Sequence, residues 1–144
     1  MGPAGTAGCQ ALFDEVLVRD YSDFRYGRFH RKMVDAYCLQ HPDRYCASAK
    51  SLAAHLTGLC WAFEHGGHPS VGRALLRWFD ASPAIDKPEL PASRGEMTIA
   101  GVHAAPDAEA HALAVERWAR STWEAYAELQ PLARRWLAEA LARR

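Results

Sequence analysis

The chain's 144 residues, 49% of them hydrophobic, suit one domain with a substantial core. Its 17 lysines and arginines balance its 17 aspartates and glutamates, so we expect no nucleic-acid partner that depends on a general basic field. No segment approaches the roughly 20 consecutive apolar residues of a membrane span, and the N-terminus lacks a signal peptide's basic start, so we expect a cytoplasmic protein without a membrane partner.

Apolar residues recur at helical spacing in three segments of the first half of the chain. Pro42 should end the second segment, and Gly66-Gly67 should end the third. The first eight residues carry no such pattern, and we expect them to be flexible. The three predicted helices run from about Cys9 to Asp20, Arg28 to Gln40, and Ala47 to His65.

The second half predicts two or three more helices. Pro69 suits a first helical turn, and the fourth segment follows it to about Asp80. A proline-rich loop over about residues 82–96 should wrap the domain, and residues 97–102 fit either a strand or a short helical turn. The fifth segment runs from Asp107 to about Leu129, beyond which the chain is kinked or split. We therefore predict an all-α, single-domain bundle of five or six helices over residues 9–144.

Histidines lie on the apolar stripes of three predicted helices. They are His30, His55 and His111, one in each of the second, third and fifth segments. An inward-facing imidazole needs a partner or a metal, because an unpaired buried polar group costs about 1–3 kcal/mol. Two alternatives follow. The three histidines form a divalent-metal site for zinc, nickel, iron or manganese, or each is a core histidine with its own hydrogen-bond partner.

Three other polar residues of the second segment are candidates for supporting roles: Asp35, Gln40 and His41. His41 follows His30 by eleven residues, about 16 Å along a helix, so these two cannot bind one metal. Asp35 lies about 100° from the apolar stripe. We expect it to form a surface ion pair with an arginine one turn earlier, or alternatively to orient His55. Gln40 and His41 end the helix, and we expect His41 to cap carbonyl groups there.

The remaining sequence motifs give little chemistry. The four cysteines are expected to be thiols, and they form no C-x-x-C pair. Cys46, beside Arg44 and Tyr45, is the most exposed candidate for a reactive thiol. A glycine-rich phosphate loop, H-E-x-x-H and G-x-S-x-G are all missing, so the sequence leaves open whether the protein is an enzyme. The alternative to metal binding is a non-catalytic interaction or scaffold module that forms a homodimer.

Three spaced motifs follow one another along the chain: VDAYxxQHP from Val34, SxxxxAxHLxxLC from Ser48, and a late H-x6-W-x4-W from His111 to Trp123. In this order they resemble an uncharacterised bacterial family of unknown function. The resemblance implies no activity. It does imply one difference, because similar proteins often begin with a C-P-x-C-G-like half of a zinc knuckle, where this chain has GPAGTAGC. If that segment binds zinc in similar proteins, the resemblance does not extend this role to the present chain.

Overall fold

The computed structural model describes residues 7–143, which form helices and loops without any strand. The predicted all-α, single-domain fold is confirmed. Flexibility of residues 1–8 was expected, and most of that segment lies outside the described residues, since the first helix begins at Ala7. In the described part of the chain the helices are α1 (Ala7–Ser22), α2 (Phe24–Gly27), α3 (His30–Gln40), α4 (Pro42–Tyr45), α5 (Ala49–Glu64), α6 (Pro69–Asp80), α7 (Ile99–His103), α8 (Ala108–Ala125) and α9 (Gln130–Ala142).

Side-chain caps fix where several helices begin. The Asp23 carboxylate accepts from the backbone N–H of Arg25 at the start of α2, and Ser48 accepts from that of Ser51 at the start of α5. The same kind of bond starts α6 at His68 and α8 at Asp107. Each cap satisfies an N–H group that the first turn of a helix leaves unpaired.

Proline and glycine set the turns. Pro42 ends α3 as predicted, but it also occupies the first turn of the one-turn helix α4, which the sequence analysis missed. Gly66 and Gly67 have φ values of 59° and 65°, in the left-handed region that glycine enters without steric cost. These two residues reverse the chain between α5 and α6.

Helix α3 lies at the centre of the bundle and packs against both α5 and α8. Helix α9 packs against α5 and α6, while α1 and α7 pack against each other next to α8. As a result α3 is buried on nearly every side from Asp35 to Gln40, far more widely than its predicted apolar stripe. No helix among residues 7–143 is long and apolar enough to cross a membrane.

Candidate functional site

A buried carboxylate at the end of α1 lies between two of the predicted histidines. The Asp20 side chain is 1% exposed. Its Oδ2 lies 3.0 Å from Nδ1 of His30 on α3, and its Oδ1 lies 3.5 Å from Nε2 of His111 on α8. Three helices therefore meet at Asp20, which the sequence analysis did not identify. We call Asp20, His30 and His111 the Asp20 centre.

His111 is fully buried within this centre. The Arg19 guanidinium lies 3.4 Å from its Nδ1, and the Tyr26 ring packs against it in a T-shaped arrangement with the ring centroids 4.8 Å apart. Burial, and then the Arg19 charge, lower the pKa of His111 to about 4. The imidazole is therefore neutral near pH 7. Burial raises the pKa of Asp20, and the hydrogen bond from His30 acts in the opposite direction.

Two buried polar atoms of the centre have no hydrogen-bond partner among the described residues: Oδ1 of Asp20 and Nε2 of His111. An arginine can only donate, so the Arg19 contact requires Nδ1 of His111 to accept and Nε2 to carry the proton. That proton faces Oδ1 of Asp20, but 3.5 Å is too long for a good N–H···O bond. The space between these two atoms is the least satisfied part of the site.

A second aspartate–histidine pair joins α3 to α5. Oδ1 of Asp35 lies 2.9 Å from Nδ1 of His55, and Arg31 donates to its Oδ2 at 2.8 Å. The expected ion pair with an arginine one turn earlier is present, but it is not at the surface, because Asp35 is 1% exposed. The alternative prediction, that Asp35 orients His55, is the observed contact. His55 is 21% exposed, and its Nε2 has no hydrogen bond to any described residue.

Gly58 on α5 makes room for the Asp35 carboxylate. A Cβ at position 58 would lie 2.0 Å from Oδ2 of Asp35, well inside van der Waals contact. A glycine inside a helical pattern costs helix stability and indicates a close approach. Gly58 was therefore a sequence signal that another helix packs closely on α5 at this position, but it did not identify that helix.

The structure brings two of the three predicted histidines to one carboxylate. His30 and His111 flank Asp20, whereas His55 pairs with Asp35. Within residues 7–143, no group of three or more His, Cys, Asp or Glu residues is arranged so as to hold a metal ion. The three-histidine ligand set remains a prediction.

Gln40 holds three parts of the fold together. Its Oε1 accepts from Nε1 of Trp118, and its Nε2 donates to the carbonyl groups of Arg94 and Met97 in the loop before α7. Because these bonds use both ends of a fully buried amide, Gln40 has a structural role.

His41 lies at the C-terminus of α3. Its backbone N–H, at the C-cap, binds the carbonyl groups of Tyr37 and Cys38. Its ring packs against Tyr37 with the centroids 4.2 Å apart. Burial, and then the Arg44 charge, lower the pKa of His41.

The expectation that Cys46 is the most exposed candidate for a reactive thiol is wrong. Cys46 is fully buried and its Sγ lies 3.4 Å from the Cys38 carbonyl oxygen. Burial raises the pKa of the thiol to about 12, so it stays protonated at neutral pH. The neighbouring Arg44 and Tyr45 indicated an exposed position, but α4 turns Cys46 towards the core.

Comparisons with known proteins give a family but no activity. A family model described as "Family of unknown function (DUF5946)" matches residues 2–127. No curated protein matches the chain, and no solved structure does.

Replacing Gly58 with alanine should destabilise the protein by about 2 kcal/mol, because the new methyl group displaces the buried Asp35 carboxylate. The matched control is Gly101→Ala in α7, where a Cβ meets nothing within 4 Å. The control should be neutral or stabilising by up to about 1 kcal/mol. Urea unfolding measures both variants. Equal effects at the two positions would contradict the close packing of Gly58 on Asp35.

The pH dependence of stability should report on His111. Its pKa is lowered from 6.5 to about 4, so the folded state binds this proton at lower pH than the unfolded state does. The free energy of unfolding should therefore fall as the pH drops from about 6.5 to about 4, by up to about 3 kcal/mol. Urea titrations of metal-free protein across this range give the slope. His111→Gln should flatten it, and parallel curves for wild type and variant would contradict the assignment.

Proposed function

We infer a function from the geometry of the site itself, because the chain belongs to a family of unknown function (DUF5946). We propose that the Asp20 centre binds one divalent metal ion. The ligands are a carboxylate oxygen of Asp20 and one imidazole nitrogen each from His30 and His111. This proposal keeps two of the three predicted histidines and takes Asp20 as the third ligand.

The observation that carries the proposal is the unpaired couple of Oδ1 of Asp20 and Nε2 of His111, buried and 3.5 Å apart. Two ligands of a tetrahedral zinc ion, each bonded at about 2.1 Å, lie about 3.4 Å apart. A metal between the two atoms would satisfy both. His30 contacts the other oxygen of the same carboxylate at 3.0 Å. The three residues are not yet arranged as a metal-binding group in the structure, so binding requires the His30 ring to leave this hydrogen bond and turn towards the ion.

The chemistry of the donors supports the same reading. Two imidazoles and a carboxylate suit zinc, and with added water they also suit nickel, iron or manganese. His111 is already neutral at pH 7 and loses no proton on binding. When a metal binds Nε2 of His111, the ring proton moves to Nδ1. Nδ1 can then no longer accept a hydrogen bond from Arg19, so the 3.4 Å contact between them is lost. Arg19 keeps its hydrogen bonds to the carbonyl groups of Val102 and His103.

Calorimetric titration of untagged, chelator-stripped protein with Zn²⁺ and Co²⁺ tests the proposal. Wild type should bind one equivalent, and the Co²⁺ absorption spectrum should indicate four to six ligands. Asp20→Asn and His30→Gln should each weaken binding by about 100-fold or more, because a direct ligand is lost. His55→Gln is the matched control and should keep the affinity.

The outcomes separate the alternatives. Absence of binding to wild type, or binding unchanged in Asp20→Asn, would overturn the proposal. Loss of binding in His55→Gln with retention in Asp20→Asn would favour the three-histidine set instead. Thermal unfolding of each variant without metal shows that the fold is intact.

An exposed apolar patch supports a second candidate function, a homodimeric interaction module. Val18, Tyr21 and Phe24, at the end of α1 and the start of α2, are 70%, 78% and 81% exposed. Val18 and Tyr21 are three residues apart, so they share one face of the helix. Large exposed apolar residues grouped on one surface are typical of contact sites between proteins. We call these three residues the α1–α2 patch.

Sedimentation velocity tests the second candidate. Wild type should be a dimer at tens of micromolar, and Tyr21→Ser/Phe24→Ser should be a monomer because it removes apolar contact area. Leu113→Ser is the control, since Leu113 is 50% exposed but lies on α8. A wild-type protein that stays monomeric at the highest soluble concentration would refute the dimer.

A further inference from the structure

A groove of about 560 Å³ runs between α5 and α6. Its apolar lining includes Trp61 from α5 and Leu75, Leu76 and Phe79 from α6. Leu76 is 63% exposed, so the groove presents apolar surface to water. This volume lies within the roughly 300–1,000 Å³ that small-molecule sites occupy. We call this cavity the α5–α6 groove.

The wall of the groove is fixed by the packing of Trp61. Its Nε1 donates to the carbonyl oxygen of His68 at 2.8 Å. A Cβ at Gly72 would lie 2.8 Å from Cζ2 of the indole, so glycine at this position lets the ring lie close against α6. The Arg31 guanidinium lies 5.9 Å from the centroid of the Trp61 ring on the side of α3. The groove is therefore built by specific contacts before any ligand arrives.

The charge of the groove is entirely positive. Arg31, Lys50 and Arg73 line it, and its lining includes no aspartate or glutamate. Arg31 is engaged by Asp35. The side chains of Lys50 and Arg73 make no ion pair or hydrogen bond with any residue that the structure describes. Two uncompensated cations beside an apolar wall match a ligand with an anionic head and an apolar chain.

We propose that the α5–α6 groove binds a soluble, monomeric long-chain carboxylate. Its carboxylate pairs with a cation of the lining, Lys50 or Arg73, while its hydrocarbon chain packs on Trp61, Leu75 and Phe79. Burial of the chain supplies most of the affinity, at about 0.8 kcal/mol for each methylene removed from water. The two cations select an anionic head over a neutral one. This site shares no residue with the Asp20 centre, so the two proposals stand independently.

Decanoate, used below its micelle concentration, is the probe for this site. Calorimetry should show saturable binding of one molecule per chain, with a change in tryptophan fluorescence. Trp61 is the only one of the five tryptophans that is not buried, so Trp61→Phe should abolish the fluorescence change. Lys50→Glu/Arg73→Glu should weaken binding by about tenfold or more. Arg77→Glu/Arg135→Glu makes the same charge change at exposed positions outside the groove and should leave the affinity unaltered.

Further arms make the test decisive. Decanol, with the same chain and no charge, should bind at least about tenfold more weakly than decanoate. Ala54→Trp should block binding by filling the groove while its thermal unfolding stays that of a folded protein. The proposal is overturned if decanoate does not saturate, if decanol binds equally well, or if both charge variants behave alike. Binding to anionic phospholipid vesicles without binding to monomeric decanoate would also overturn it. Asp20→Asn should bind decanoate as wild type does.

Discussion

The pairing of buried carboxylates with imidazoles on neighbouring helices is the constraint on which the rest of the structure depends. Asp20 and Asp35 are each 1% exposed. A carboxylate cannot be taken out of water without partners, because the desolvation cost is several kcal/mol. Each one accepts a hydrogen bond from the Nδ1 atom of a histidine on another helix, Asp20 from His30 and Asp35 from His55. These contacts fix how α1, α3 and α5 are rotated against one another, which apolar packing alone leaves less specific.

The central position of α3 follows from these contacts. The helix is tied to α1 through His30 and to α5 through Asp35. At its C-terminal end Gln40 connects it to α8 and to the proline-rich loop, and the Tyr126 hydroxyl donates to the Leu39 carbonyl oxygen. Few of its polar groups are left to solvent. A change in the protonation or ligation of Asp20 or Asp35 would therefore alter the packing of the whole bundle.

The sequence predicted the fold well because the helices depend on local signals. Apolar periodicity located the six long helices in the described chain, and Gly66-Gly67 indicated where α5 ends. The short helix α4 was missed, since one turn has no periodicity to read. Pro42 was taken as a stop signal, although proline suits the start of a helix equally well.

The site was harder to predict because it depends on which helices become neighbours. His30 and His111 were identified from their places on apolar stripes. Asp20 was not, because a single aspartate near a helix end is ordinarily a surface residue. Asp35 was expected at the surface because the stripe of α3 was taken as one-sided, whereas α5 covers its other face. The groove was missed altogether, since it is formed between α5 and α6 and has no linear motif.

The tautomers of the three histidines test this account most directly, by long-range ¹H–¹⁵N correlation of the imidazole rings in metal-free protein at pH 8. In the structure, His30 and His55 donate through Nδ1 to buried carboxylates, while Nδ1 of His111 accepts from Arg19. The account predicts protonated Nδ1 in His30 and His55 and protonated Nε2 in His111. Protonated Nε2 in His30 and His55, or rapid exchange between tautomers in all three rings, would contradict it.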